Sequence, residues 1–416
     1  MNLRTSPALN VVASDDLCLA VTAGYEALAA RDAADITPAS VQSPAEPIAG
    51  WRVSGSLWPA ERFMLRIPKR WNGRLIAAGT PAQRSEYACD RLFGDPLLAR
   101  GYAYVCGNKG QGDGAMLLDR EHTITIDGAV LPRFVLPSGD GISFWQHAPG
   151  HSVEQWLEEF IAMTASARDV IAELCGRPPE LTYAIGLSNG GYEVRRAIEE
   201  SDGYAGALTW NAVMWSPEHN ILRQLTAAVA AMQAGEPERL LRLGFPPDIA
   251  AASGTGSLYQ KNFAVYWGLT AWLHAVHLDP QTSIAYGDVR DPAAAEAWSA
   301  KIGAWDFDRS PIIAQRVAGF ANTGRIRCKL IDIASEYDHL VTPRFNFEPY
   351  GRMVAAAGKS ALYRAEMLPG AQHLDTWSED SEYPQMRTGY RRVMAAFDEL
   401  VQWVEGTEPG QDEAAQ

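Results

Sequence analysis

The stretch that most constrains the fold is Gly186-Leu187-Ser188-Asn189-Gly190-Gly191, because it lies between a β-rich run at residues 181–185 and a helical run at 192–200. A serine hydroxyl is a poor nucleophile at neutral pH. Chemistry at serine therefore needs a sharp turn that exposes the oxygen to a base and surrounds the reacting carbonyl with backbone donors. Glycines on both sides permit that turn and leave room for the helix behind it. The bland alternative is a glycine-rich turn with an idle serine; the strand–turn–helix setting, more than the short pattern, argues against it. Ser188 is the candidate nucleophile.

The rest of the chain supports a strand–helix alternation. Residues 52–57, 62–67, 73–78 and 101–106 read as short strands, and the last two end in glycine-containing loops. Residues 153–174 place apolar groups at helical spacing, and Gly176-Arg177-Pro178-Pro179 breaks that helix before the strand that leads to Ser188. Residues 205–213 read as the next strand, and 328–334 as a later one. This order predicts an α/β architecture with a doubly wound, mostly parallel sheet, whose ligands sit at the carboxyl ends of the strands. Residues 1–50 read as a lead-in and 51–215 as the first part of the core. Residues 216–325 break the rhythm with helical segments, proline joints and aromatics such as Tyr259, Phe263, Tyr266, Trp267, Trp272, Trp298 and Trp305, and are expected to form a helical lid inserted into the core. Residues 326–404 complete the core, and the acidic stretch 405–416 reads as a disordered tail.

Composition excludes several function classes. The formal net charge is -14, and no basic cluster along the sequence reverses it, so nucleic acid is not an expected partner. Cys18, Cys89, Cys106, Cys175 and Cys328 are odd in number and scattered without metal-ligand spacing, so neither a disulfide framework nor structural zinc is expected. No cofactor motif stands out. The run Gly110-Gln111-Gly112-Asp113-Gly114 superficially suggests a phosphate cradle, but no helix begins behind it, and a loop near the mouth of the site is the better account. No run approaches the roughly 20 apolar residues of a membrane span. Ser14, Asp15 and Asp16 interrupt the one candidate for a signal-peptide core, so a cytoplasmic location is expected. Nothing in the sequence fixes the oligomeric state.

A serine on such a turn is served by an acid after a later strand and by a histidine in a later loop. Asp338, in the segment leading to Pro343, fits the acid, and His373, five residues after Leu368, fits the base. His373 would take the proton from Ser188 and return one to the leaving group, while Asp338 would hold the imidazole tautomer. Glu336 is the rival acid. His339 follows the acid directly and reads as a polar rim residue. His274 and His277 lie three apart on an apolar helix and could mimic a metal pair, but packing is the better account without a third ligand. The oxyanion hole should combine the N–H of Asn189 with one from the loop after the 73–78 strand. Pro81 has no N–H, so Thr80 is the choice, with Gly79 and Ala82 as alternatives.

At these residues the sequence resembles the tannase and feruloyl esterase group, and within that neighbourhood the 3-hydroxybutyrate oligomer hydrolases. The resemblance rests on Asn108-Lys109-Gly110 through Gly114, Ile126-Asp127-Gly128, Ser188-Asn189-Gly190-Gly191, and the segments around Asp338 and His373. It implies an α/β-hydrolase fold, a Ser-Asp-His triad, a lid inserted before the acid-bearing strand, and hydrolysis of carboxylic esters. Tannases typically carry a disulfide between a cysteine just before the serine and one just after the histidine. Here those positions are Leu187 and Leu374, which favours the oligomer-hydrolase side over galloyl or feruloyl esters and suits a reducing compartment. The lid aromatics would line an acyl or alcohol pocket, or simply form the core of the lid. Hydrolysis of amides, lactones or carbon–carbon bonds, acyl transfer, and a non-catalytic binding protein on the same fold remain as alternatives.

Overall fold

In a computed structural model the described residues are 8–18, 36–58, 61–110, 124–126, 129–131, 151–279, 292–309 and 311–406. Apolar runs become strands where both faces can be covered. In β4 (Arg74–Gly79), Ile76 and Ala78 join one buried cluster while Leu75 and Ala77 join another on the opposite face, the period of two that a strand imposes. The other strands are β1 (Ala8–Ser14), β2 (Gly50–Trp58), β3 (Glu61–Pro68), β5 (Ala103–Gly107), a separate antiparallel pair of β6 (Ile124–Ile126) and β7 (Ala129–Leu131), β8 (Leu181–Leu187), β9 (Gly206–Trp210), β10 (Lys329–Ser335) and β11 (Tyr363–Leu368). The main sheet has nine strands in the order β1-β2-β3-β5-β4-β8-β9-β10-β11. Its first three pairings are antiparallel, and from β5 to β11 every neighbour is parallel.

The major helices are α1 (Trp156–Cys175), α2 (Asn189–Glu200), α3 (Ile221–Gln233), α4 (Gly268–Leu278), α5 (Pro292–Gly303), α6 (Pro311–Phe320), α7 (Pro343–Ala356) and α8 (Tyr390–Glu405). One face of the sheet packs on Phe160, Met163, Val194, Ile198 and Val354 of α1, α2 and α7. The other packs on Val393, Phe397 and Leu400 of α8 and on Leu92, Phe93 and Leu97 of the short helical run after β4. The result is helix, sheet, helix in three layers: an α/β-hydrolase fold. The chain passes from β4 out to β5 and then returns to β8 on β4's other side. The strand order therefore reverses beside β4 and β8, where such sheets leave a crevice at their carboxyl ends. Gly79 pairs with Gly186 in that register, which sets the loop after β4 beside the turn after β8.

Helices α3 to α6 all lie between β9 and β10. They have their own apolar core, in which Trp267, Trp272, Trp298 and Trp305 are buried. Most of the aromatics that sequence offered for a ligand pocket thus hold the insertion together. The structure differs from the sequence reading at the ends. Part of the 1–50 lead-in is β1, an antiparallel edge strand registered from Ala8 on Ser56 to Ser14 on Gly50. At the other end Glu405 closes α8 instead of opening a tail, with Arg74 and the Tyr183 hydroxyl as its partners. Residues 407–416 lie outside the described residues. Among the described residues no helix is long and apolar enough to cross a membrane.

Candidate active site

Ser188 stands between β8 and α2 with φ +58 and ψ −121, a left-handed conformation that costs a non-glycine residue about 1–3 kcal/mol. The surroundings over-determine it. Its N–H donates to the Trp210 carbonyl at 3.0 Å, and its own carbonyl accepts from Val213 at 3.0 Å and Tyr192 at 3.2 Å. The flanking glycines are steric necessities. A Cβ on Gly190 would lie 2.0 Å from the Gly79 oxygen, one on Gly186 2.3 Å from the Gly190 oxygen, and one on Gly191 2.5 Å from Ala212 Cβ.

The expected acid and base converge on this turn. His373 Nε2 is 3.0 Å from Ser188 Oγ, and His373 Nδ1 is 2.6 Å from Asp338 Oδ2. The second oxygen of Asp338 accepts from the N–H groups of Leu340 at 2.9 Å and Val341 at 2.7 Å, so the carboxylate is fixed on both sides. All three side chains are buried. The rival Glu336 is exposed and accepts from Gly370 N, away from the imidazole. His339 lies between the carbonyls of Tyr337 and Pro247, and burial holds its pKa below the usual value. His274 packs edge-on against Trp156 and Trp215, and burial, with His277 and Lys109 adding to it, pushes its pKa down to about 3. No group of three or more potential metal ligands occurs among the described residues.

On the other side of Ser188, Asn189 is the first residue of α2, so its N–H has no acceptor within the helix. The Gly79–Thr80 backbone is pressed against Gly190: the Cβ that Gly190 lacks would also fall 2.6 Å from Thr80 N. Thr80 and Asn189 are thereby brought together, and Ala82, one of the alternatives, is left-handed at φ +47. Sequence reasoning gave no role to Lys109, which the structure buries behind this loop. Its ammonium donates to the carbonyls of Thr80 at 2.5 Å and Ala82 at 2.6 Å, lies 4.9 Å from the Trp156 ring centre, and is 3.8 Å from Glu193 Oε2. Burial lowers the Lys109 pKa against the pull of Glu193, while burial lifts Glu193 to about 8 against the pull of Lys109. Gln111, Gly112, Asp113 and Gly114, the rest of the glycine loop, lie outside the described residues. Thr80 Oγ1, both polar atoms of the Gln83 amide and Asn189 Oδ1 are buried without a partner among the described residues.

Asn211 is the second residue that the sequence reading missed. It follows β9 with φ +49, and its side chain accepts from Ser335 N at 2.8 Å and donates to the carbonyls of His373 at 2.8 Å and Gln372 at 3.3 Å. One amide thus ties the end of the acid-bearing strand to the histidine loop. Among the described residues only Ala82, Lys109, Ser188 and Asn211 are non-glycines with positive φ, and all four belong to this site or its supports. The one available sequence signal was an asparagine inside the run 205–213, read as strand throughout, since Asn tolerates this conformation better than most residues. Leu187 and Leu374 both belong to the apolar cluster that covers one face of the sheet. Trp377 lies 5.8 Å from the His373 ring and 4.4 Å from the ring of Tyr266, so an aromatic pair joins the insertion to the histidine loop.

No protein-family model matches the chain, and a comparison with curated proteins finds no match. Solved structures do resemble it. Feruloyl esterase B from Aspergillus oryzae is 13% identical, with 98% of this chain and 89% of that one covered at a TM-score of 0.49. Tannin acyl hydrolase from Aspergillus niger is 14% identical, with 91% and 87% covered and a TM-score of 0.44. The acylaminoacyl peptidase of Pyrococcus horikoshii is 10% identical at a TM-score of 0.44; the match takes in 85% of this chain but only 41% of the peptidase.

Proposed function

We propose that the chain is a serine hydrolase of carboxylic esters that works through an acyl-enzyme. The observation that carries this reading is the continuous relay from Ser188 Oγ through His373 to Asp338, built on a left-handed turn at the carboxyl end of β8. His373 Nε2 accepts the Ser188 proton as Oγ attacks the ester carbonyl. The oxyanion takes the N–H groups of Asn189 and Thr80. Collapse of this intermediate breaks the bond to the alkoxide, which leaves with the proton from His373, and the acyl group stays on Ser188. A water then gives its proton to His373 and attacks the acyl carbonyl; collapse breaks the bond to Oγ, releases the acid, and His373 returns the proton to Ser188. Asp338 accepts the hydrogen bond from Nδ1–H throughout and stabilises the imidazolium.

For substrate, the reading is a short hydroxyalkanoate oligoester of the 3-hydroxybutyrate type or an aromatic ester. The unpartnered polar atoms of Thr80, Gln83 and Asn189 support a substrate with hydrogen-bonding groups of its own. The Tyr266–Trp377 pair beside His373 supports an apolar wall. Leu187 and Leu374, standing where tannases have cysteines, favour the oligoester. The insertion between β9 and β10 would act as the lid.

The test is hydrolysis by wild type and Ser188→Ala of hydroxybutyrate oligomers, aromatic esters and simple short-chain esters. The alanine variant should lose on the order of 10⁶-fold in kcat on every ester that the wild type turns over. Turnover that survives in it would sink the mechanism, and equal wild-type rates on all three classes would sink the substrate reading.

A further inference from the structure

Arginines that are scattered through the sequence gather at one cavity of about 550 Å³ between the insertion and the core. Arg223 comes from α3, Arg242 from the short helix Arg239–Arg242, and Arg344 and Arg352 from α7. His219 joins them. Among the described residues Glu348 is the only acidic one on the lining. Sequence reading found no basic cluster in this chain of net charge -14, because these cations come from separate segments that only the fold brings together.

The walls are built. Gln224 Nε2 donates to the Leu243 carbonyl and to Thr342 Oγ1, which ties α3 to both neighbouring segments. Gly244 turns with φ +86 and lies so close to Arg344 that an added Cβ would be 3.3–3.4 Å from its Cβ, Cγ and Cδ, so the stem of Arg344 runs along the glycine. The His219 and Phe345 rings pack at 5.1 Å, tilted to one another, and add an apolar panel. Arg223 is held by Asp308 through two bonds of 2.5 and 2.6 Å, and Arg352 is 3.7 Å from Glu348. Arg242 and Arg344 have no ion-pair partner among the described residues. Burial, then Arg352 and Arg223, hold His219 below its usual pKa, so the cavity already opposes a further positive charge.

We propose that this cavity binds a small multivalent oxyanion, a polycarboxylate or a phosphoryl compound, with Arg242 and Arg344 as its principal ligands. Guanidinium groups match both anions through paired N–H donors. The volume falls in the range of small-molecule sites and is too small for a polyanion chain. Since Arg242 belongs to the insertion and Arg344 to the core, the bound anion cross-links the two. The site is separate from Ser188 and does not depend on the proposed ester chemistry.

Isothermal titration of the full chain with citrate and, separately, with sodium phosphate at fixed ionic strength is the test. Either anion should bind saturably with one site per chain and raise Tm. Preference for citrate identifies a polycarboxylate site, and preference for phosphate a phosphoryl site. The changes Arg242→Ala and Arg344→Ala, both at exposed positions, should each weaken binding by at least roughly tenfold, the loss of one good charge-assisted contact. An unchanged near-ultraviolet circular dichroism spectrum and Tm without anion will show that the variant is folded, and Arg344→Glu serves as a further variant. Titration that never saturates at millimolar anion, or that is the same in the variants as in wild type, overturns the proposal.

Discussion

On one side of Ser188, Asn211 ties the acid-bearing strand to the histidine loop with a neutral amide; on the other, Lys109 ties the Thr80–Ala82 loop with a buried charge. Both supports are left-handed, both use one side chain to hold carbonyls in place, and neither touches Ser188 in the hydrogen-bond network. They differ in electrostatic cost. The amide carries no net charge, so its partners need no counter-ion. The ammonium is desolvated, and carboxylates accumulate around it: Glu193 faces it, while Glu159 and Glu61 lie within the electrostatic reach of Glu193. Burial, then Glu159 and Glu193, raise Glu61 to about 10. The asparagine support is therefore expected to hold its loop independently of pH, and the lysine support only while its charges stay in balance.

Of the two supports, the larger effect is expected from Asn211→Ala. The substitution leaves Ser335 N and the His373 carbonyl without a partner in the interior and frees the histidine loop to shift relative to Ser188. A displacement of the order of 1 Å at a reacting group costs about 100-fold, so kcat should fall by about that factor with KM nearly unchanged. The shape of the Tm-against-pH curve should stay that of wild type, although the whole curve drops. Steady-state kinetics and thermal melts across neutral pH check both. A wild-type kcat would remove Asn211 from the positioning role.

Lys109→Met comes next. Without the ammonium the Thr80 and Ala82 carbonyls lose their donor, and the Thr80 N–H is no longer held to one orientation. A fall of roughly tenfold in kcat is expected, less than the 10²–10³-fold typical of removing an oxyanion donor outright, because Thr80 itself remains. Affinity for a trifluoromethyl ketone, whose adduct carries the oxyanion, should fall by a similar factor. Removing the cation also removes the attraction that stabilises ionised Glu193, so the alkaline part of the Tm-against-pH curve should move to higher pH. If the two variants give the same pH behaviour, the contrast between a neutral and a charged support fails.

These two residues mark the limit of what the sequence discloses. The fold was legible because strands buried on both faces must be apolar, and Ile76, Ala77 and Ala78 could hardly be anything else. Ser188, Asp338 and His373 were legible because each is placed by a local pattern in a fixed chain order. Lys109 belongs to the run Asn108–Gly114, yet its bond to the Thr80 carbonyl spans 29 residues, and nothing local shows that its side chain turns inward. Asn211 reaches 124 residues to Ser335 and 162 to His373. The arginine cavity was hidden for the same reason, and β11 because as an edge strand it is too exposed to show an apolar run.

The subtlest test of the comparison is Glu193→Gln, which keeps the shape of the side chain and removes its charge. Burial raises Glu193 from an ordinary 4.5 to about 8 in the folded protein, with Lys109 opposing the rise. Below pH 4.5 the group is protonated in both states, and its ionisation costs folding nothing. As pH rises from 4.5 to 8 the unfolded chain gives up the proton while the folded chain keeps it, so the unfolded state is favoured and stability falls; above 8 both states are ionised and the loss levels off. Glutamine has no proton to give up. The Tm of Glu193→Gln should therefore sit near that of wild type in acid and rise progressively above it toward pH 8, with little change in kcat, because the carboxylate contacts the ammonium and not the Thr80 loop. A difference in Tm that does not grow with pH would mean that Glu193 is ionised throughout and forms a fixed ion pair with Lys109. In that case the oxyanion side would be as indifferent to pH as the asparagine side.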